Sequence, residues 1–274
     1  MHGKINLFTV MNILDKIIAH KRLEVAENKL NAPVGQLEKK EFFSRKVISL
    51  NKSLLDQNST GIIAEFKRQS PSRGVINGTA DIAKVTAAYA ANGATALSVL
   101  TDKNFFGGSN ADLEKARINN VPILRKDFII DEYQVVEAKA IGADVILLIA
   151  ACLSPGEVKR LAAFAKTLGL EVLLEVHNQE ELAHVCDECD VVGVNNRDLK
   201  YFTVDINRSL ELSEKIPADK VKISESGITD TVTIHRLRSA GFRGFLIGEN
   251  FMREPDPAVA FASFVKHLKT LSPG

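Results

Sequence analysis

The stretch "GIIAEFKRQSPSRG", residues 61–74, opens as an apolar run and then delivers an acid and a base in quick succession. Gly61 to Ala64 reads as the start of a buried strand, and Glu65 and Lys67 stand two residues apart. Side chains alternate across a strand, so this spacing sends both charges to the same face. A core strand that ends this way raises the question of what stands opposite.

Seven more short apolar runs follow: "ALSVLT" at 96, "VPILRK" at 121, "VILLIA" at 145, "EVLLEV" at 171, "VVGVNN" at 191, "VKIS" at 221 and "GFLIG" at 244. The eight runs begin 20 to 35 residues apart, and helical patterns fill the gaps. "SPGE" at Ser154 supplies a capping serine, a first-turn proline and a glutamate three residues on. Val158, Leu161, Ala162, Ala165 and Leu168 then form one apolar stripe, which Gly169 ends. "NQEE" at Asn178 offers the same cap with Glu181, and Gly93, Gly142 and Gly241 are similar stops.

Strand and helix alternating eight times means parallel strands joined by crossover helices, and predicts an α/β fold, a (β/α)8 barrel, over residues 56–274. A doubly wound open sheet is the rival. Its usual phosphate turns, GxGxxG or GxxxxGK[ST], are absent. Residues 1–55 form a helical N-terminal extension, with Leu14, Ile17, Ile18 and Val25 on one face. It is expected to pack on the barrel as part of a single domain. Met11 offers an alternative start to Met1, and no second enzyme is expected after the helix that follows the eighth strand.

Composition narrows the function. The chain has 274 residues and 45% hydrophobic content, with 35 Lys and Arg against 34 Asp and Glu. That balance argues against a broad nucleic-acid surface. No apolar run approaches the roughly 20 residues that span a bilayer, and no signal peptide is evident, so a cytoplasmic protein without a membrane partner is expected. Three cysteines make no disulfide framework. The Cys186–Cys189 pair lacks the second pair of a zinc site, Cys152 reads as packing, and the glycosylation pattern at Asn58 reads as chance.

In such barrels the chemistry sits at the C-terminal strand ends. The first strand offers Glu65 and Lys67 there. The third places Leu124 and Lys126 on one face and Arg125 on the other; the fifth places Leu173 and Glu175 together. The sixth ends in Asn195 and Arg197, the seventh in Glu225 and Ser226. A single terminal lysine would simply reach solvent. Five strands converging on one mouth with buried charge point to function, because such burial is costly. Lysines and glutamates without clusters of His or Asp suggest acid–base chemistry rather than a metal site, and a Schiff-base lysine stays open. Gly227 and Gly248, just after the seventh and eighth strands, fit a phosphate grip to which Ser70 could add a hydroxyl.

Taken together, "IIAEFKRQSPSRG", "VPILRKDFIIDEYQ", "LLEVHN", "GVNNRDL", "SESGI" and "LIGENFM" closely resemble the indole-3-glycerol-phosphate synthase family of tryptophan biosynthesis. The resemblance runs from Met11 to about residue 268. It implies closure of 1-(2-carboxyphenylamino)-1-deoxyribulose 5-phosphate to indole-3-glycerol phosphate with loss of CO2 and water, a carboxy-lyase reaction using no metal or organic cofactor. The implied partner is this small sugar phosphate with its anthranilate ring. A monomer or weak homo-oligomer is expected.

Carried over by position, the resemblance implies Lys126 as the general acid and Lys67 as partner to the substrate carboxylate or as an acid in dehydration. Which of Lys67, Lys126 and Glu175 serves each proton transfer stays open. Glu175 serves the later proton transfers, and Glu65 orients the lysines. The resemblance adds Asn195, Arg197, Glu225 and Ser226 to the site. It matches Phe106, Phe128 and Leu199 to an apolar ring slot, and Ser70, Gly227, Gly248 and Glu249 to the phosphate site. Some members carry serine where Glu249 stands, so this acidic side chain is expected to point away from the phosphate. The sister phosphoribosylanthranilate isomerase would need a Cys and an Asp at opposing strand ends, and no Cys stands at the end of the first strand. A silent barrel that only binds a sugar phosphate would lack the Lys and Glu set.

Overall fold

The protein is described from a computed structural model, covering residues 12–198 and 201–271. The choice between Met1 and Met11 as start, and the placement of Leu199, lie outside these residues.

All eight apolar runs form strands: β1 (Ile62–Phe66), β2 (Ala96–Leu100), β3 (Ile123–Lys126), β4 (Val145–Ile149), β5 (Glu171–Val176), β6 (Val191–Asn195), β7 (Val221–Glu225) and β8 (Gly244–Ile247). Each pairs in parallel with its sequence neighbours, and β8 pairs with β1, which closes the barrel. A two-residue ribbon, Gln69–Ser70 against Gly74–Val75, folds the chain back directly after β1.

The helices are α1 (Ile13–Asn31), α2 (Val34–Leu37), α3 (Leu50–Leu55), α4 (Ile82–Ala91), α5 (Asn110–Ala116), α6 (Glu132–Ala140), α7 (Pro155–Thr167), α8 (Asn207–Leu212), α9 (Thr231–Ser239), α10 (Glu249–Met252) and α11 (Pro257–Leu271). Helix α7 begins with the predicted reciprocal cap between Ser154 and Glu157 and buries Val158, Leu161, Ala162 and Ala165. The predicted stops at Gly93, Gly142, Gly169 and Gly241 all have positive φ, which glycine adopts without a steric penalty.

Two expectations need revision. The connection after β5 forms its Asn178–Glu181 cap at 3.0 Å, yet continues only as a 3-10 turn, Glu180–His184. That turn buries no residue, so it has no apolar stripe to hold a longer helix against the barrel. The N-terminal extension is likewise not helical throughout, since residues 38–49 run as turns and extended chain. Barrel carboxylates hold the end of this stretch and the start of α3: Ile48 N donates to Asp144 at 2.7 Å and Asn51 N to Glu171 at 3.0 Å.

The extension touches both ends of the barrel. At the N-terminal end of the strands, Leu50 and Leu54 of α3 join the interior cluster with Ile63, Val145 and Leu173. At the opposite end, α1 reaches the mouth. Its Ile17 is buried and its Leu14 and Ile18 half-buried, while Lys21 is wholly buried among the carboxylates of Glu24, Asp102 and Asp127. Outside the barrel wall, Arg125 packs toward α6, donating to Gln134 O at 2.9 Å and Glu137 at 2.5 Å. The predicted alternation of Arg125 and Lys126 therefore holds. Among the described residues no helix is long and apolar enough to cross a membrane.

Candidate active site

The mouth of the barrel is a cleft whose walls include Glu65, Lys67, Lys126, Glu175, Asn195, Arg197, Glu225 and Ser226. These are the strand-end residues expected from the sequence, and the closed barrel brings all of them together. Parallel strands of similar length end at one level, so the last inward side chain of each faces the same space.

Lys126 is the hub. Its Nζ donates to Glu175 Oε2 and to Glu225 Oε2, each at 2.7 Å. Burial opposes its charge, but Glu175, Glu225 and Glu65 outweigh burial and hold its pKa above the ordinary lysine value. Glu175 also accepts from Asn195 Nδ2 at 3.1 Å and lies 3.3 Å from His177 Nε2. Burial works against its carboxylate, yet Lys126 and His177 prevail and hold its pKa below the usual range. Glu225 goes the other way: burial and the nearby Glu175 and Glu65 raise it to about 7, against the pull of Lys126. Two carboxyls on one ammonium are thus driven apart, which is how a site acquires an acid and a base from one residue type. Beside them, Lys67 Nζ donates to Glu65 Oε1 at 2.6 Å.

Backbone geometry supports this arrangement. Gly193 leaves room beneath Glu225, whose Oε1 would lie 2.3 Å from an added Cβ. Ser226 has a positive φ of 67°, a costly conformation for a side-chain-bearing residue. Buried Asn196 ties down that turn, donating to Glu225 O at 2.9 Å and Ser226 O at 3.1 Å.

One wall is aromatic. Phe106 and Phe128 face each other with ring centroids 6.0 Å apart, and Ile13, Leu14 and Ile17 of α1 close over the same cleft. An adjoining recess is lined by Gly227, Gly248, Thr229, Arg73, Arg197 and Arg253. Gly248 is required there, because a Cβ would fall 2.6 Å from Glu65 Oε1. Ser70 lines the main cleft and is not brought to this recess. Glu249 pairs with Arg73 at 2.9 Å and Arg197 at 3.2 Å, so its carboxylate is turned onto two arginines at the boundary of both spaces.

Three site residues escaped the sequence reading. His177 lies two beyond Glu175, the same inward spacing that marked the other strand ends, and its pKa is raised to about 9 by Glu175 and Glu181 against the effect of burial. Arg73 and Arg253 carry no periodic signal; the fold brings Arg73 to the glycines, and the single short turn of α10 sets Arg253 beside Gly248. The cysteines stay outside this chemistry. Cys186 and Cys189 are free thiols 3.5 Å apart, and burial pushes Cys189 up to about 12.

Fold and site together define a (β/α)8 barrel carrying a lysine–glutamate cluster with a basic recess beside it. Comparison with known proteins places it further. The family model described as Indole-3-glycerol phosphate synthase matches residues 14–264. An indole-3-glycerol phosphate synthase of Bacteroides thetaiotaomicron is 48% identical over 259 residues, covering 94% of this chain and 99% of the relative. Those of a Polaromonas species and of Salinibacter ruber are 43% and 42% identical over 256 residues, each covering 92% of this chain, with 97% and 94% of the relatives. The chain belongs to the indole-3-glycerol phosphate synthase family, a family of enzymes.

Proposed function

We propose that this chain converts 1-(2-carboxyphenylamino)-1-deoxyribulose 5-phosphate to indole-3-glycerol phosphate, CO2 and water, a carboxy-lyase step in tryptophan biosynthesis. The observation that carries the reading is Lys126 held between Glu175 and Glu225 in a cleft walled by Phe106 and Phe128. Family membership and the adjoining basic recess support it.

The substrate's anthranilate ring lies between the phenylalanines and α1, and its phosphate in the recess of Gly227, Gly248, Arg73 and Arg253. Lys67, steadied by Glu65, meets the ring carboxylate. As the ring carbon bearing that carboxylate attacks the ribulose carbonyl, charge develops on the carbonyl oxygen, and Lys126 gives it a proton. A fixed ammonium outside bulk water stabilises such charge strongly. Loss of CO2 then returns two electrons to the ring system. Glu175 moves the protons of dehydration, with Asn195 and His177 holding its carboxylate in place. Glu225, near neutrality in its titration, supplies or accepts a proton beside Lys126. Arg197 and Ser226 border both spaces and orient the sugar chain.

The reading treats residues 1–55 as an extension of a single-domain barrel and α1 as a lid that helps exclude water. It places the enzyme in the cytoplasm as a monomer or weak homo-oligomer. The chain contains no tryptophan, so indole emission from product stands out against the protein. Adding the carboxyphenylamino substrate to the purified protein is expected to produce that emission, and its absence would refute the assignment.

A further inference from the structure

We propose that Lys21 is a positioning residue through which α1 sets the spacing of Phe106 and Phe128. The idea rests on the reading that this cleft takes an aromatic ring, and adds how the slot is built.

Lys21 does not line the cleft, and its side chain has no exposure to solvent. Its Nζ lies 3.0 Å from Asp102 Oδ2, 2.9 Å from Asp127 Oδ1 and 2.8 Å from Glu24 Oε1. Asp102 follows the end of β2 and Asp127 follows β3, so one ammonium joins two βα loops to the N-terminal helix. Each aspartate in turn holds a phenylalanine loop by its backbone. Asp102 Oδ1 accepts from Phe105 N at 2.7 Å and Phe106 N at 3.3 Å, while Asp127 Oδ1 accepts from Phe128 N at 2.8 Å.

Both aspartates are themselves buried. Asp127 has further support from Thr101 Oγ1 at 2.5 Å and Arg125 at 3.3 Å, whereas Asp102 meets no other cation within ion-pair distance among the described residues. Buried ion clusters contribute little net stability compared with apolar packing, and their best-attested gain is a fixed geometry. Here the geometry that is fixed is two loops, each presenting one ring. The same helix brings Ile13, Leu14 and Ile17 to the cleft those rings line, so the slot and its cover share one tether.

The test uses Lys21→Met, which keeps the length of the side chain, and the double variant Lys21→Met/Asp102→Asn, which also removes the orphaned charge while preserving an oxygen for the Phe105 and Phe106 amides. Amide hydrogen exchange at Phe105, Phe106 and Phe128 is measured, with the dissociation constants of indole-3-glycerol phosphate and of inorganic phosphate. In the double variant, exchange at Phe105 and Phe106 should quicken about tenfold or more and ring-bearing product should bind about tenfold more weakly, with inorganic phosphate changed by less than about twofold. Unchanged exchange and product affinity would overturn the proposal. So would equal weakening of both ligands, which marks general loosening, or failure of both variants to fold, which marks a stability element. If wild-type protein binds no indole-3-glycerol phosphate, the functional reading fails, and the exchange data alone decide the role of Lys21.

Discussion

Glu225 holds one oxygen 2.7 Å from the Lys126 ammonium and turns the other toward Gly193, where a methyl group would come within 2.3 Å of it. Gly193 is therefore part of the site although it carries no side chain. Gly193→Ala should move the Glu225 carboxylate and also crowd Leu173 and Ile223. The expected result is a stability loss of about 1–3 kcal/mol with a fall in kcat beyond what that explains. Denaturation and steady-state kinetics together check it, and wild-type kcat in the alanine variant would count against the arrangement.

Removing the hub has two effects. Lys126→Met should reduce turnover by about 10²–10⁴, the usual contribution of a proton-transfer group. It should also raise Glu225 further above its value of about 7, because the ammonium is what holds it down. Carbon-detected titration of labelled glutamate reads the second effect independently of catalysis. A Glu225 that titrates unchanged would mean the two groups are not coupled.

His177 predicts a pH dependence of stability. Burial opposes its charged form, but Glu175 and Glu181 hold its pKa at about 9 against the ordinary histidine value of 6.5. Between those values the folded chain keeps a proton that the unfolded chain has released. The stabilising contribution is complete below about pH 6.5 and is lost as pH rises through about 9. It amounts to about 3 kcal/mol. Urea denaturation of wild type and His177→Asn at several pH values should show the gap closing with rising pH. A gap constant across this window would exclude the linkage.

Glu249 occupies two arginines that border the basic recess. Glu249→Ser should free Arg73 and Arg197 and tighten inorganic phosphate binding by about two- to fivefold at low salt, the scale of a part-exposed ion pair. The gain should shrink as ionic strength rises. Calorimetric titration at two salt concentrations would test this, and weaker phosphate binding in the variant would contradict it.

Far from the mouth, the cap of α7 offers a local test. Ser154→Ala removes the side-chain half of a reciprocal cap, in which Glu157 N donates to Ser154 Oγ at 3.3 Å, and leaves the backbone half, in which residue 154 N donates to Glu157 at 2.7 Å. The expected cost is about 1 kcal/mol, with activity unchanged. Thermal unfolding should register it, and an unaltered midpoint would show that the cap contributes nothing measurable.

The barrel was readable because its signals are local and repeated. Each strand is an apolar run, and each glycine stop marks a backbone conformation that other residues resist. The charged ring was readable for the same reason: strand period two placed Glu65 with Lys67 and Lys126 opposite to Arg125. Lys21 was not legible, since in an amphipathic helix a lysine is ordinarily solvated and nothing nearby announces Asp102 or Asp127. Arg73 was hidden by its distance along the chain from the glycines, and Arg253 by the lack of any periodic signal around it. The 3-10 turn after β5 shows the opposite failure, a correct cap without enough apolar surface behind it to build a helix.

Arg125 and Lys126 are adjacent cations assigned to different tasks by the pleat of β3. The guanidinium keeps its proton under all ordinary conditions, and it faces the helix layer, where constancy is useful. The ammonium faces the cleft, where the proposed reaction calls on it as an acid. Insertion or deletion of one residue in β3 would exchange the two faces. The charge at the mouth would be unchanged in sign, yet a cation unable to release its proton would stand where the proposed reaction needs an acid. Such a frame-shifted barrel could retain its shape and its basic recess while losing the proposed chemistry.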